Sequence, residues 1–335
     1  MKAPGSARPP GLTDSQATPD VDVISRLLKS ILTPDQTLIG VSEIDRKDGR
    51  AVFRADIGFA ESARPDLFVV AKRFTGPGRA ERLYRTLASL YGAVFNPTSV
   101  LVSPRPLAYW DDLAVVVYEP VLGTPMHQLS PPEAAEEAAR GAARWLATLH
   151  SSGIDQDRTL DVANEVANGH LWAEMVATVL GPSTTRIAQL ADEVTAMLPA
   201  LCLSTEAVLH KDFHYEHVLV GSAPKSGPVF GVIDLDETRR GDPAFDLAHF
   251  CSYLALADFR NGGSRFGAAA RTFLDEYRCR TGWNPNEQFA FFGALLGLKQ
   301  AKQIVTGRGP QVRPPQQRWA AEVDFVVEAA LARIQ

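Results

Sequence analysis

The sequence predicts an α+β chain in two lobes, a small antiparallel-sheet N-lobe and a larger, mainly helical C-lobe. Three observations predict it. Residues 37–119 alternate apolar runs of strand length with one run of helical period. After Pro120 the pattern changes to longer helical stripes. The 335 residues are 45% apolar and 22% charged, enough for two cores and too balanced for a disordered chain.

Residues 1–20 are rich in Pro, Gly, Ser and Thr, lack periodicity and read as a flexible tail. Val21–Leu32 has helical spacing and stops before Pro34. Thr37–Ile44, Ala51–Ile57 and Leu67–Phe74 read as strands, the first two joined by a turn with Asp48-Gly49 at its tip. Arg79–Tyr91 follows as a helix, with Ala80, Leu83, Tyr84, Leu87 and Tyr91 on one face. Two further strands, Arg105–Trp110 and Leu113–Glu119, turn at Asp111-Asp112. The N-terminal lobe therefore spans residues 21–119 and the C-terminal lobe residues 120–335.

In the second lobe, Ser130-Pro131-Pro132-Glu133 is a capping box. It opens a helix whose inner stripe is Ala135, Ala138, Ala142, Trp145, Leu146 and Leu149. Ser183 opens another, with Ile187, Leu190, Ala191, Val194 and Leu198 inward. Short β runs cover Val208–Asp212, Val218–Gly221 and Val229–Asp234, and helices resume at Pro243 towards Ile334.

Composition excludes several classes. With 34 Lys and Arg against 39 Asp and Glu, the formal charge of −5 leaves no excess of cations for a nucleic-acid partner. The longest uncharged apolar runs, such as Phe289–Leu298, fall far short of the ~20 residues of a membrane span. The N-terminus has no apolar core of a secretory signal. Cys202, Cys251 and Cys279 are widely spaced, which fits a reducing cytoplasm.

The densest polar cluster is His210-Lys211-Asp212-Phe213-His214-Tyr215-Glu216-His217, ahead of the apolar run Val218–Val220. Asp234 closes a second apolar run. Two carboxylates so placed can divide the work of phosphoryl transfer, one accepting a hydroxyl proton and the other holding Mg²⁺ against phosphates.

Four motifs stand in order over residues 35–255. They are Leu146-Ala-Thr-Leu149-His150-Ser-Ser-Gly153, His210-Lys211-Asp212, Ile233-Asp234-Leu235-Asp236 and Gly241-Asp242-Pro243-Ala244-Phe245-Asp246-Leu247-Ala248. This order resembles the aminoglycoside phosphotransferase and choline kinase branch of the protein-kinase-like fold, where H-x-D-x-x-x-x-N precedes I-D-x-[DE] and G-D-P-x-x-D-L-A. The resemblance implies a two-lobed, protein-kinase-like fold. It also implies a small-molecule kinase that uses ATP and Mg²⁺, with Mn²⁺ as the alternative. The acceptor would be a hydroxyl of a sugar, amino alcohol or antibiotic-like metabolite.

By the same resemblance Asp212 is the catalytic base and Asp234 the Mg²⁺ carboxylate. Lys72, on a strand face shared with Phe68, Val70 and Phe74, would hold the α/β-phosphates. Glu81, the only acid of the following helix, would pair with Lys72, and the backbone at Glu119 and Val121 would meet the adenine edge. Asp242 reads as a helix N-cap before Pro243, and Asp246 as a scaffold residue bonding the catalytic-loop backbone. Asp236 is open between a second metal role and solvent.

Two departures stand out. The family's Asn, five residues after the catalytic Asp, is His217 here, a residue for Mn²⁺, for loop hydrogen bonds or for lost activity. The phosphate loop at Arg46–Arg50 has one glycine, with Lys47 and Arg50 beside it. These departures support a rival reading as a nucleotide-binding pseudokinase or regulatory module. A further rival is a metal-dependent hydrolase built on His210, Asp212, His214 and His217. From Thr281 onward Lys and Arg outnumber Asp and Glu, which favours a neutral or anionic acceptor.

Overall fold

The computed structural model describes residues 14–47, 49–60, 67–95, 99–130, 132–181, 185–223, 227–263, 265–307 and 315–334. Asp48 and Ser183, named above as turn and helix signals, lie outside them. The chain divides into two compact units, residues 1–88 with 104–120, and residues 89–103 with 121–335. Residues 89–103, expected in the N-terminal lobe, thus cluster with the second unit.

The first unit opens on α1 (Asp14–Lys29), so helix begins inside the stretch expected to be a tail. The apolar spacing of Val21, Ile24 and Leu28 marks only its later turns. Next come β1 (Gln36–Lys47), β2 (Arg50–Phe59), β3 (Leu67–Phe74) and α2 (Arg79–Leu90), whose last two residues are counted with the second unit. A short β4 (Leu101–Val102) belongs to the second unit, and β5 (Arg105–Trp110) and β6 (Val115–Glu119) return to the first. The sheet order is β1-β2-β3-β6-β5, antiparallel throughout. The turn between β1 and β2 needs a left-handed residue, and Gly49 supplies it with φ 82°.

Alternation along β3 decides what each face does. Val69 and Ala71 join Phe53, Ala55, Val115, Val117, Ile24 and Leu28 in one apolar cluster, so α1 covers that face. Val70, Lys72 and Phe74 point to the other face, all buried. In register, Lys72 pairs with Val52 on β2 and Val116 on β6.

The second unit contains β7 (Thr124–Pro125), α3 (Pro132–His150), α4 (Val162–Leu180), α5 (Thr185–Met197), β8 (Ala207–Leu209), β9 (Val218–Ala223) and β10 (Gly227–Val232). It continues with β11 (Arg239–Gly241), α6 (Ala244–Asn261), α7 (Arg265–Thr281), α8 (Glu287–Thr306) and α9 (Trp319–Ile334). The expected stripe of α3, from Ala135 to Leu149, is fully buried. Ile187, Leu190, Ala191 and Val194 of α5 are buried as expected, and they join a large cluster with α4, α6, α8 and α9. Helix α4 has no counterpart among the expected elements. Its apolar residues circle the helix, and Asp161 caps it by accepting from the Asn164 N–H at 3.0 Å.

Two small sheets carry the loops of interest. One has the order β4-β10-β9-β7, and the other pairs β8 with β11. Gly231 on β10 lets Val121 pack against its Cα, since a Cβ there would sit 2.4 Å from Val121 Cγ1. Among the described residues no helix is long and apolar enough to cross a membrane.

Candidate active site

The strands stop earlier than expected. β8 ends at Leu209 and β10 at Val232, so Asp212 and Asp234 stand in loops beyond their strands. The reason is local. Lys211 has φ 73° and Asp234 has φ 65°, left-handed conformations that break the extended run. Such strain persists only where the surroundings enforce it.

The main enforcer is Asp246, fully buried in the first turn of α6. Its Oδ2 accepts from the His210 N–H at 2.7 Å, and its Oδ1 from the Lys211 N–H at 2.8 Å. His150, the last residue of α3, adds a 3.1 Å bond from Nε2 to Oδ2, and its Nδ1 meets the Tyr277 hydroxyl at 2.7 Å. Burial alone would raise the Asp246 carboxyl, but the hydrogen bond and charge of His150, then His210, hold it below its ordinary value. Asp242 takes the N-terminal role expected of it, accepting from the Ala244 N–H at 2.9 Å and the Ser204 N–H at 3.0 Å.

The histidines of the loop have different jobs. His210 is fully buried and donates from Nε2 to the Ile233 carbonyl at 2.9 Å, while its Nδ1 accepts from the Asp212 N–H at 3.3 Å. His249 of α6 donates from Nδ1 to the Phe213 carbonyl at 2.9 Å. His217 donates from Nδ1 to the Asp212 carbonyl at 2.9 Å and presents Nε2 to Asp234 Oδ2 at 3.7 Å. It therefore holds the backbone of one carboxylate residue and stands beside the side chain of the other. The four-ligand set expected of a hydrolase is not what forms. His210 is turned to a backbone carbonyl, and only Asp212, His214 and His217 bring ligand atoms within 4.8 Å of one another.

Asp212 is the exposed member, with 36% of its side chain accessible. Its Oδ1 faces Lys299 Nζ at 3.6 Å and His249 Nε2 at 3.7 Å, and its Oδ2 faces His214 Nε2 at 3.9 Å. Burial raises its carboxyl, yet Lys299, then His214, His217 and His249, outweigh that and hold it well below the usual carboxylate range. Burial and then Lys299 push His249 down to about 3, so its Nε2 is free to accept from Lys299 at 3.2 Å. Asp212 is thus an ionised acceptor at neutral pH, which a general base must be.

Sequence reasoning missed Lys299 and His249 in this site. Lys299 follows the apolar run Phe289–Leu298 on the buried helix α8, and a cation at the end of such a run was the available signal. Lys211, quoted above only as part of the motif, has a role the sequence did not suggest: it pairs with Glu165 of α4 at 2.7 Å, tying the loop to that helix.

In the first unit, Lys72 is 5% exposed on the face of the sheet opposite α1, its Nζ 6.0 Å from the centre of the Tyr118 ring. Glu81 lies in the first turn of α2 and pairs with Arg85 at 3.9 Å, not with Lys72 as expected. Glu119 ends β6 and pairs with Arg105 at 3.2 Å. A cavity of about 780 Å³ beside the β1–β2 turn is lined by Lys47, Gly49, Arg50, Arg73 and Thr75 among others.

The sequence pattern of the phosphotransferase enzyme family matches residues 62–283. The chain belongs to this family. Viomycin phosphotransferase of Streptomyces vinaceus is 33% identical over 214 residues, covering 59% of this chain and 73% of that protein. Among solved structures, an aminoglycoside-3'-phosphotransferase of type VIII aligns at 23% identity and a TM-score of 0.52 over 83% of this chain and 98% of its own. A spectinomycin phosphotransferase in complex with ADP and spectinomycin aligns at 14% identity and a TM-score of 0.59, over 96% of this chain and 99% of its own. A choline/ethanolamine kinase family protein from Mesorhizobium loti aligns at 16% identity and a TM-score of 0.56, over 96% and 94%. The fold is therefore the expected protein-kinase-like one, and the phosphotransferase is a small-molecule kinase.

Proposed function

We propose that this phosphotransferase moves the γ-phosphoryl group of ATP to a hydroxyl of a small molecule, with Asp212 as the base. The observation that carries the reading is the anchored loop. Asp246 fixes the backbone that presents Asp212, and His217 Nδ1 holds the Asp212 carbonyl. Catalysis of this kind rests on positioning and charge stabilisation.

In this reading Asp212 orients the acceptor hydroxyl and accepts its proton. Lys299 keeps the carboxylate ionised and leaves a cation beside the transferring group. Lys72 holds the α/β-phosphates, and the backbone at Glu119 and Val121 meets the adenine edge.

The donor atoms bear on the metal. Asp234 offers carboxylate oxygen, which suits Mg²⁺, whereas His217 Nε2 at 3.7 Å offers nitrogen, which suits Mn²⁺ better. Asp234 would hold Mg²⁺, with His217 at the position of a second ligand, and the ion would neutralise phosphate charge.

For the acceptor, the relative acts on viomycin by its name, and an antibiotic-like or sugar-like alcohol fits this site. Lys299 beside Asp212 argues against an ammonium adjoining the reacting hydroxyl. His217 in place of the family Asn also suits a pseudokinase, whose mark is ATP binding without turnover on any acceptor.

Lys72→Met tests the nucleotide half. Loss of a charged hydrogen bond to phosphate costs about 1.5–3 kcal/mol, so nucleotide affinity should fall about 10–100-fold. Unchanged ATP affinity by calorimetry would remove Lys72 from the site.

A further inference from the structure

We propose that Asp212, His214 and His217 form a binding site for a borderline transition metal of the Zn²⁺ class, and that its occupancy switches the enzyme off. The inhibition rests on the role of Asp212 given above; the binding does not.

The geometry selects three ligands from six nearby imidazole and carboxylate residues. His210 commits both ring nitrogens to backbone groups, and His249 spends Nδ1 on the Phe213 carbonyl and Nε2 on Lys299. Asp212, His214 and His217 each place one ligand atom within 4.8 Å of the other two, and the two imidazole rings lie 3.8 Å apart. His217 spends Nδ1 on the Asp212 carbonyl, so its Nε2 keeps a lone pair aimed at Asp234. His214 faces Asp212 Oδ2 across 3.9 Å, and His217 faces Asp234 Oδ2 across 3.7 Å. Both gaps are too long for hydrogen bonds. Bonds of about 2.0–2.1 Å at tetrahedral angles give ligand separations of roughly 3.3 Å. Side-chain rotations that draw the three ligand atoms together by up to about 1.5 Å, from within 4.8 Å of one another, therefore close the set around one ion, with water free to complete the tetrahedron.

Charge and donor type agree. Asp212 divides its oxygens, Oδ1 towards Lys299 and Oδ2 towards His214, so the cation at Lys299 does not occupy the metal side. The Asp212 carboxylate beside two imidazoles offers a divalent ion one negative charge and two nitrogen donors. Two imidazole nitrogens favour Zn²⁺ over Mg²⁺. His214 now accepts from the Glu216 N–H at Nδ1 over 3.3 Å. On binding through Nε2, its proton moves to Nδ1 and that long bond is given up. With Oδ2 drawn to the metal, Asp212 can no longer take the proton of an acceptor hydroxyl.

The test is Zn²⁺ binding to the full-length, nucleotide-free protein, measured against a competing chelating dye. Native protein should bind one Zn²⁺, and His214→Gln and His217→Asn should each weaken it about 10–100-fold or more. His170→Ala, on α4, should not. Zn²⁺ added over excess Mg²⁺ should inhibit phosphoryl transfer by native enzyme and by His170→Ala, while whichever of the two ligand variants retains activity should resist it. Co²⁺ gives a readout on native protein that needs no variant, a visible d–d spectrum of tetrahedral N/O ligation. Absence of that spectrum, or equal Zn²⁺ affinity in native and ligand variants, would overturn the site. Tight Zn²⁺ binding with activity unaffected would overturn the switch and leave the base assignment of Asp212 in question.

Discussion

Asp212→Asn should lower kcat by about 10²–10⁴ while leaving the fold in place. The substitution keeps the shape of the side chain and removes its ability to accept a proton. Asp212 presents one oxygen to Lys299 and His249 and the other to His214, and its backbone is held independently by His210 and His217. An amide at this position therefore sits in the same frame. Lys299 loses its carboxylate neighbour but keeps the bond to His249 at 3.2 Å. Because Asp212 acts on the acceptor hydroxyl, the loss should appear in kcat, with the KM for nucleotide changed little. Steady-state kinetics with a coupled ADP assay read both. A variant within about tenfold of native kcat would mean that Asp212 is not the base, since a positioned base contributes about 10²–10⁴-fold.

Asp246→Ala should have the largest effect on stability. Its carboxylate is fully buried and accepts from two consecutive backbone N–H groups and from His150. Alanine leaves those donors buried without an acceptor and frees Lys211 from what holds its left-handed φ of 73°. Breaking one side of a buried pair costs about 3–5 kcal/mol, which for a chain of this size lowers the melting temperature by about 4–7 °C. A shift of less than about 2 °C, the scale of a surface substitution, would show that the loop is anchored elsewhere. Acid should act in the same direction. The folded carboxyl lies below its ordinary value, so its contribution is complete above the unfolded pKa of about 3.9 and fades as pH falls through the lower folded value. Native protein should therefore lose more stability below pH 4 than Asp246→Ala does.

The regular elements were legible because local rules and burial agree in them. The strands of the first unit and the Ala-rich stripe of α3 follow periods of two and 3.6 that the core then uses. Helix α4 was not legible, because its apolar residues are spread around the axis and show no single stripe. The strand ends near Asp212 and Asp234 were misplaced for a different reason. Lys211 and Asp234 adopt left-handed backbone only because Asp246, His150 and His217 hold the loop, and no local preference announces it. Motif spacing pointed to Asp212, Asp234 and the backbone role of Asp246. It could not reach Lys299, which stands 87 residues after Asp212 in sequence and meets it only through the packing of α8 against α6.

The most direct measurement is phosphorus NMR of an acceptor panel of viomycin, aminoglycosides, sugars and amino alcohols, incubated with ATP, Mg²⁺ and either native protein or Asp212→Asn. A phosphate ester on a hydroxyl of at least one acceptor, formed by native protein and nearly absent with the variant, is the predicted result. An ester formed equally by both proteins, or ATP bound by the native chain with no ester on any member of the panel, would contradict it.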